Sequence, residues 1–131
     1  MIFGIGTDIV QFERIAAILT RTENRFAEKI LGPDELVEFG QRREKSAERA
    51  VYYLCNRFAA KEAFSKALGL GMRAPMTWHD IQILNDEQGA PRVATTGELA
   101  SYMVTKKLVS RVSLSDEKEF SVAFVVIEHA A

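Results

Sequence analysis

The sequence predicts one α+β domain that spans residues 1–131. Three observations favour this fold class: a β-prone run at the N-terminus, a helical block after it, and a second half made mainly of β-rich runs. A length of 131 residues is typical of one domain, and a hydrophobic content of 47% is sufficient for a core.

The first half begins with a strand and continues as helices. Ile2 to Val10 form an apolar run broken by two glycines, which predicts a mostly buried strand. Apolar residues then recur at helical spacing from Phe12 to about Leu31, with a polar break at residues 22–24. Gly32-Pro33-Asp34 predicts the end of one helix and the start of a short one. We interpret the charged segment 41–49 as a solvated loop or a helix start.

A long helix is predicted from about Ala47 to Leu68, and the rest of the chain is mainly sheet. Gly69 and Gly71 mark the end of this helix. The single cysteine, Cys55, lies inside it and is interpreted as a small buried apolar residue. The remaining predicted elements are a strand over 78–84, a hairpin turn over 85–89, a return strand from Arg92, a helix from Thr95 or Thr96 to about Lys107, and two strands over 109–114 and 120–127 with a hairpin between them.

Composition and charge exclude several classes of protein. A formal net charge of -1 gives no support for binding to nucleic acid or to a membrane surface through the whole chain. One cysteine excludes an intramolecular disulfide framework, and no apolar run approaches the roughly 18 residues of a membrane span. The N-terminus lacks the basic segment and the cleavage site of a signal peptide. We therefore expect a soluble, cytoplasmic protein.

Three charged residues are candidates for chemistry. Asp8 ends the first strand, where it is either a helix N-cap or a ligand for a hard cation such as Mg²⁺. Glu62 and Lys66 lie one turn apart, which suits either an exposed salt bridge or a metal ligand beside a phosphate clamp. Any phosphate site in this helix would use Lys66, with Arg57 or Lys61 nearby and the metal.

The glycines and a row of arginines leave two further alternatives open. Gly69 and Gly71 form an ordinary helix end or allow the backbone to approach a ligand closely. Arg14, Arg21 and Arg25 fall on one line of the first predicted helix, with Ile18 and Lys29 on the same line. This basic stripe is either solvated surface or a docking site for an acidic partner.

Several segments taken together resemble one family. They are GIGTDIV, RFAAKEAFSKALGLGM, WHDIQI, GAP and SLSDEKEFSVAFVVIE, which occur in the family's order and cover nearly the whole chain. In these segments the sequence resembles the bacterial holo-[acyl-carrier-protein] synthases, which are 4′-phosphopantetheinyl transferases. GTDIV and FAAKEAxxKAxGxG in one chain are highly specific for this family.

The resemblance implies an enzyme that transfers 4′-phosphopantetheine from coenzyme A to a serine of apo-acyl carrier protein, in support of fatty acid biosynthesis. It also implies a small α+β domain with a sheet packed against a long helix, and a homotrimer with active sites between subunits. The matching positions assign Mg²⁺ to Asp8 and Glu62, and coenzyme A contacts to Lys66, Gly69, Gly71 and Pro91. Arg14, Arg21 and Arg25 then meet the acidic carrier protein.

The implied chemistry suits these residue types. A cation held by two carboxylates and a lysine can stabilise the charge of a pyrophosphate. Glu62, directly or through water, is the candidate base for the serine proton. One position departs from many relatives, because Asp116 stands where they have histidine, so no phosphate contact is transferred to it. Two other readings stay open: a non-catalytic module that binds carrier protein, and another Mg²⁺-dependent phosphate enzyme such as a small nucleotide hydrolase.

Overall fold

The computed structural model describes residues 1–131, which form five helices and five strands in an α+β arrangement. This confirms the predicted fold class. In chain order the elements are β1 (Ile2–Gln11), α1 (Phe12–Thr22), α2 (Arg25–Ile30), α3 (Pro33–Lys45), α4 (Ala47–Leu68), β2 (Ile81–Asn85), β3 (Pro91–Thr95), α5 (Gly97–Thr105), β4 (Leu108–Asp116) and β5 (Phe120–His129).

The central helix α4 begins and ends at residues suited to those positions. The Ser46 side chain accepts a hydrogen bond from the backbone nitrogen of Arg49, at 3.3 Å, and so caps the first turn. Gly69 closes the helix with a φ of +80°, a conformation that glycine adopts without steric cost. Both predicted ends of this helix are confirmed. Cys55 is fully buried within it, as expected.

Three antiparallel strands in the order β1-β5-β4 form a sheet that packs one face against α4. Val10 of β1 and Ala123 and Val125 of β5 lie on this inner face and are almost completely buried. The prediction that β1 is mostly buried is wrong. Ile5 and Ile9 point to the opposite face, where 58% and 62% of their surface is exposed.

The helical block before α4 has the predicted break and one unpredicted extension. The break between α1 and α2 contains Glu23, whose φ is +55°. Gly32 and Pro33 begin α3 as the N-cap and first helical residue. The segment 41–49 is not a loop, because α3 continues to Lys45 and α4 begins at Ala47. Basic residues in the last turn of α3 are favourable there because they face the negative end of the helix dipole.

The second half contains a separate two-stranded hairpin and the short helix α5. β2 pairs with β3 across a turn in which Gly89 has a φ of +84°, as the sequence predicts. The strand begins only at Ile81, so the predicted start at Trp78 is wrong. Thr96 is the N-cap residue of α5 but its side chain bonds Asp80 instead of the helix. No helix is both long and apolar enough to span a bilayer.

Candidate active site

The candidate site forms where β1 lies directly on α4. A Cβ atom added to Gly6 would lie 1.9 Å from the carbonyl oxygen of Ala63, and one added to Gly4 would lie 1.9 Å from that of Ala67. Strand and helix therefore touch backbone to backbone, with only glycine on one side and alanine on the other. This close approach brings the side chains beside it, on both elements, within reach of one another.

Asp8 lies on β1, beyond the two glycines and on the same face of the strand. Its carboxylate accepts a hydrogen bond from Lys66 of α4, with 3.1 Å between Oδ1 and Nζ. The same ammonium group donates to the backbone oxygen of Thr7 at 2.9 Å. The N-cap interpretation of Asp8 is wrong, because Gln11 occupies the N-cap position of α1.

Glu62 faces the same region but takes no part in an ion pair, so the predicted Glu62–Lys66 salt bridge is absent. Burial raises the pKa of the Glu62 carboxyl above its usual value, and the negative charge of Asp8 raises it further. Lys66 and Arg14 act in the opposite direction but do not cancel the rise. The carboxylates of Asp8 and Glu62 thus lie close enough to repel each other, and the nearby positive charges do not fully offset this repulsion.

The two carboxylates suit a hard divalent cation. Mg²⁺ commonly uses only one or two protein carboxylates and takes its other oxygens from water and substrate phosphates. No group of three or more His, Cys, Asp or Glu side chains is present, so a protein cage of the zinc or calcium type is not formed. Burial is the main cause of the raised pKa of Glu62, and an added cation would offset the further rise that comes from Asp8.

The predicted basic stripe does not lie on one helix, because Arg14 and Arg21 belong to α1 whereas Arg25 begins α2 after the break at residues 23–24. Arg14, Arg21 and Arg25 are all exposed. The Arg14 guanidinium carbon lies 5.8 Å from the ring centroid of Phe58, one turn before Glu62 on α4. Phe58 also stacks on Trp78, with 5.4 Å between ring centroids. Arg14 and its aromatic neighbours thus lie next to Glu62.

Two expected phosphate contacts are wrong. Lys61 is fully buried and donates hydrogen bonds to Glu35, to the Ile30 carbonyl and to the Trp78 carbonyl. Arg57 is 4% exposed and donates to Ile83 and to two asparagine side chains. At 3.6 residues per turn, these two residues occupy a different side of α4 from Lys66. They tie the helix to its neighbours and do not face the site.

The remaining predicted contacts are placed differently. Gly69 and Gly71 both have positive φ, and nothing lies within 4 Å of a Cβ built on either. Gly69 is the C-cap of α4, so its helix-end interpretation is confirmed, and both glycines are exposed. Pro91 pairs with Asn85 at the end of the β2–β3 hairpin. The Asn85 side chain bonds Arg57, so Pro91 is not brought to Asp8 or Lys66 of the same chain.

A basic cavity of about 650 Å³ was missed in the sequence. It lies between the end of α3, the start of α4 and the β4–β5 hairpin. Four basic side chains line it, against three acidic ones: Arg42, Lys45, Arg49 and Lys118 against Glu38, Asp116 and Glu117. The signal was the charged segment 41–49, which is typical of solvated surface. Asp116 also borders this cavity, and its carboxylate accepts hydrogen bonds from Asn56 and Ser121.

A sequence model of the 4′-phosphopantetheinyl transferase superfamily matches residues 4–125 of this chain. The chain belongs to this superfamily. Within the superfamily it is 56% identical over 127 residues to the holo-[acyl-carrier-protein] synthase of Burkholderia vietnamiensis. The matched region covers 97% of this chain and 88% of that relative, so the similarity includes every element that builds the site.

Solved structures of this type of transferase have the same fold. The holo-[acyl-carrier-protein] synthase of Neisseria meningitidis is 41% identical, with a TM-score of 0.90 over 98% of this chain and 99% of that one. The synthase of Bacillus anthracis, solved in complex with CoA (3′,5′-ADP), is 35% identical, with a TM-score of 0.81 over 99% of both chains. The resemblance seen in the sequence motifs is confirmed.

Proposed function

We propose that this transferase moves 4′-phosphopantetheine from coenzyme A to a serine hydroxyl of apo-acyl carrier protein and releases adenosine 3′,5′-bisphosphate. The observation that carries the proposal is the meeting of Asp8, Glu62 and Lys66 at the contact between β1 and α4. The synthases of B. vietnamiensis and N. meningitidis bear the name of this activity, and the B. anthracis synthase was solved in complex with CoA (3′,5′-ADP).

Asp8 and Glu62 would hold Mg²⁺, and the bound ion would supply electrostatic stabilisation of the pyrophosphate charge as it develops on the leaving group. The raised pKa of Glu62 supports this assignment, because the cause includes the neighbouring charge of Asp8. A hard cation held by these two residues would relieve that repulsion.

Lys66 would face the same pyrophosphate as a point charge. Its side chain is 52% exposed, so its ammonium group is accessible to a substrate. The serine hydroxyl of the carrier protein is a weak nucleophile while it keeps its proton. Glu62, directly or through a water molecule, would accept that proton. The serine oxygen then attacks the β-phosphorus while the bisphosphate leaves.

Arg14, Arg21 and Arg25 would dock the carrier protein. The three guanidinium groups are exposed, and acyl carrier proteins are acidic and helical. The contact of Arg14 with Phe58 connects this surface to the helix that carries Glu62. A carrier protein bound there would present its serine next to the pyrophosphate.

A homotrimer would complete the coenzyme A site. None of the four main cavities of the single chain is lined by Asp8, Glu62 or Lys66, although coenzyme A is large. The outer face of the sheet exposes Ile5, Ile9 and Phe124, an apolar surface suited to contact with another copy.

In such an assembly, we propose that the basic cavity of one copy receives the nucleotide part of coenzyme A held at the carboxylate pair of its neighbour. Pro91 and the β2–β3 hairpin would contribute to the same intersubunit site. Coenzyme A carries a 3′-phosphate besides its pyrophosphate, and this phosphate requires basic side chains beyond Lys66.

The physiological setting belongs to the same proposal. An enzyme with these substrates supports fatty acid biosynthesis, because a carrier protein without its phosphopantetheine arm cannot hold acyl groups. We place it in the cytoplasm, as expected from the sequence.

The test is intact-protein mass spectrometry of apo-acyl carrier protein after incubation with this protein, coenzyme A and Mg²⁺. We expect a mass gain equal to one phosphopantetheine, lost with Glu62→Ala and kept with the matched surface variant Glu98→Ala. Bisphosphate release without any carrier protein would support the nucleotide hydrolase alternative. Tight carrier binding without a mass gain would support the non-catalytic module.

A further inference from the structure

Lys66 contacts the carboxylate that a metal ion would need. Its ammonium nitrogen lies 3.1 Å from Oδ1 of Asp8 and 2.9 Å from the backbone oxygen of Thr7. It forms no ion pair with Glu62, although that residue is one turn away on the same helix. Lys66 is therefore already paired with Asp8, one of the two carboxylates of the proposed metal site.

A lysine ammonium and a divalent cation are poor neighbours at one carboxylate. Each needs the Asp8 oxygen, and their like charges repel at a separation of a few ångströms. In the free protein, a cation that approaches Asp8 must displace Lys66 or bind beside it at a cost. The pyrophosphate of coenzyme A changes this balance, because it offers Lys66 another anion and offers the cation further oxygens.

We propose that Lys66 is the internal counter-ion of Asp8 in the free enzyme, where it competes with divalent metal, and that it moves to the pyrophosphate when coenzyme A binds. This inference rests on the proposed function. It assigns Lys66 a second role, which makes metal and coenzyme A binding interdependent. The movement requires no change in α4, because the side chain is long and 52% exposed.

The interdependence has a reciprocal form. If coenzyme A increases the affinity for metal, metal increases the affinity for coenzyme A by the same factor. Part of that factor comes from oxygens that the pyrophosphate itself gives to the metal. The other part comes from withdrawal of Lys66 from Asp8, and only this part disappears when Lys66 is replaced by an uncharged side chain.

The test is titration of this protein with Mn²⁺, with free Mn²⁺ measured by electron paramagnetic resonance in the absence and presence of coenzyme A. We expect Lys66→Met to bind Mn²⁺ about two- to fivefold more tightly than wild type without coenzyme A, since exposed ion pairs have strengths of that order. Coenzyme A should then increase Mn²⁺ affinity by a smaller factor than in wild type. Lys66→Arg, which keeps the charge, should bind Mn²⁺ no more tightly than wild type.

Two further variants make the result specific. Lys106→Met removes an exposed lysine from the end of α5 and should leave Mn²⁺ binding unchanged. Asp8→Asn should weaken Mn²⁺ binding whether or not Lys66 is present. Equal or weaker binding by Lys66→Met, together with weaker binding by Asp8→Asn, overturns the counter-ion role and leaves the proposed function intact. No Mn²⁺ binding by any variant, with or without coenzyme A, overturns the metal assignment and this inference together.

Discussion

The ammonium nitrogen of Lys61 lies 2.6 Å from Oε1 of Glu35, and neither side chain exposes any surface to solvent. Glu35 also accepts hydrogen bonds from the backbone nitrogens of Gly32 and Ile83, at 2.9 and 2.8 Å. The pair thus joins α4 to the start of α3 and to β2. Glu62 is the next residue along α4, so the position of the site depends on this buried connection.

Removal of one member of this pair should destabilise the fold strongly. Lys61→Met leaves a buried carboxylate without its cation, and we expect the free energy of unfolding to fall by about 3–5 kcal/mol. Adding Glu35→Gln should restore part of the loss, because the double variant buries no charge. Urea denaturation of wild type, both single variants and the double variant measures the coupling. Strictly additive effects would show that the two charges do not depend on each other.

The pKa of Glu62 should appear in the pH dependence of stability. In the unfolded chain the carboxyl titrates near its ordinary value of 4.5, whereas burial and Asp8 raise its pKa in the folded protein. Between the two values the folded state binds more protons, so this group lowers the free energy of unfolding as pH rises through that window. Glu62→Gln should therefore be more stable than wild type at pH 7 without metal.

Two controls test this prediction: the same comparison of stability at acid pH, and the same comparison with added Mg²⁺. At about pH 3.5, below the unfolded pKa, the advantage of Glu62→Gln should disappear because wild type is then protonated in both states. Added Mg²⁺ should stabilise wild type more than the variant, because a ligand that binds only the folded state raises its stability. If Glu62→Gln were less stable than wild type at pH 7, the charge of Glu62 would not be destabilising in the folded protein.

The contact of Gly6 with Ala63 should not tolerate a methyl group. In Gly6→Ala the new Cβ would meet the Ala63 carbonyl oxygen at 1.9 Å, so β1 must move away from α4. We expect a loss of about 1–3 kcal/mol in the free energy of unfolding and a fall in transfer activity, because Asp8 moves with the strand. Thermal unfolding and the transfer assay measure both effects.

Gly40→Ala is the matched substitution. Gly40 lies inside α3, and nothing is found within 4 Å of a Cβ built on it. This change should stabilise the protein by about 0.5–1 kcal/mol, since alanine favours the helix interior. If both substitutions had the same effect, the close approach of β1 to α4 would not explain the result.

The two basic surfaces should affect different substrates. Arg21→Glu, on the docking stripe, should raise the KM for carrier protein about tenfold or more, with an effect that weakens at high salt. Arg49→Glu, in the basic cavity, should raise the KM for coenzyme A instead. Steady-state kinetics with each substrate varied in turn separates the two, and each variant is the control for the other. Equal changes in both KM values would assign neither surface to one substrate.

The exposed apolar face of the sheet should be required for assembly. Ile9→Asp places a charge among Ile5, Phe124 and neighbouring residues of the outer face. We expect wild type to have three times the mass of the chain by light scattering, and the variant to be a monomer with reduced activity. Val37→Asp, at an apolar residue of α3 that is 60% exposed, should keep the mass of wild type. A monomeric wild type would remove the intersubunit site and leave the chemistry unaffected.

The sequence allowed prediction of the elements whose ends carry strong local signals. Gly69 and the hairpin turn at Gly89 were placed correctly, because a residue that requires positive φ is visible without tertiary information. The extent of α3 was not predicted, since helix and solvated loop have the same charged composition over 41–45. Whether such a segment forms a helix or a loop depends on the elements that pack against it.

The candidate site shows the same division. The residue types and spacing of Asp8, Glu62 and Lys66 were sufficient to select them, with the motif resemblance. The partner of Lys66 was not predicted, because proximity along a helix favours Glu62 and the approach of β1 brings Asp8 instead. Lys61 has the same charge as Lys66, and only the three-dimensional arrangement shows that one is buried and the other exposed.

Because β1 contacts α4 through glycine and alanine, the strand has little freedom to move relative to the helix. Side chains between two elements absorb small displacements by changing rotamer, but Gly4 and Gly6 have none to change. The opposite face of the same strand carries the exposed isoleucines Ile5 and Ile9. In the proposed trimer, a displacement of that outer face by a neighbouring copy would move Asp8 directly, so assembly would set the spacing of the two carboxylates.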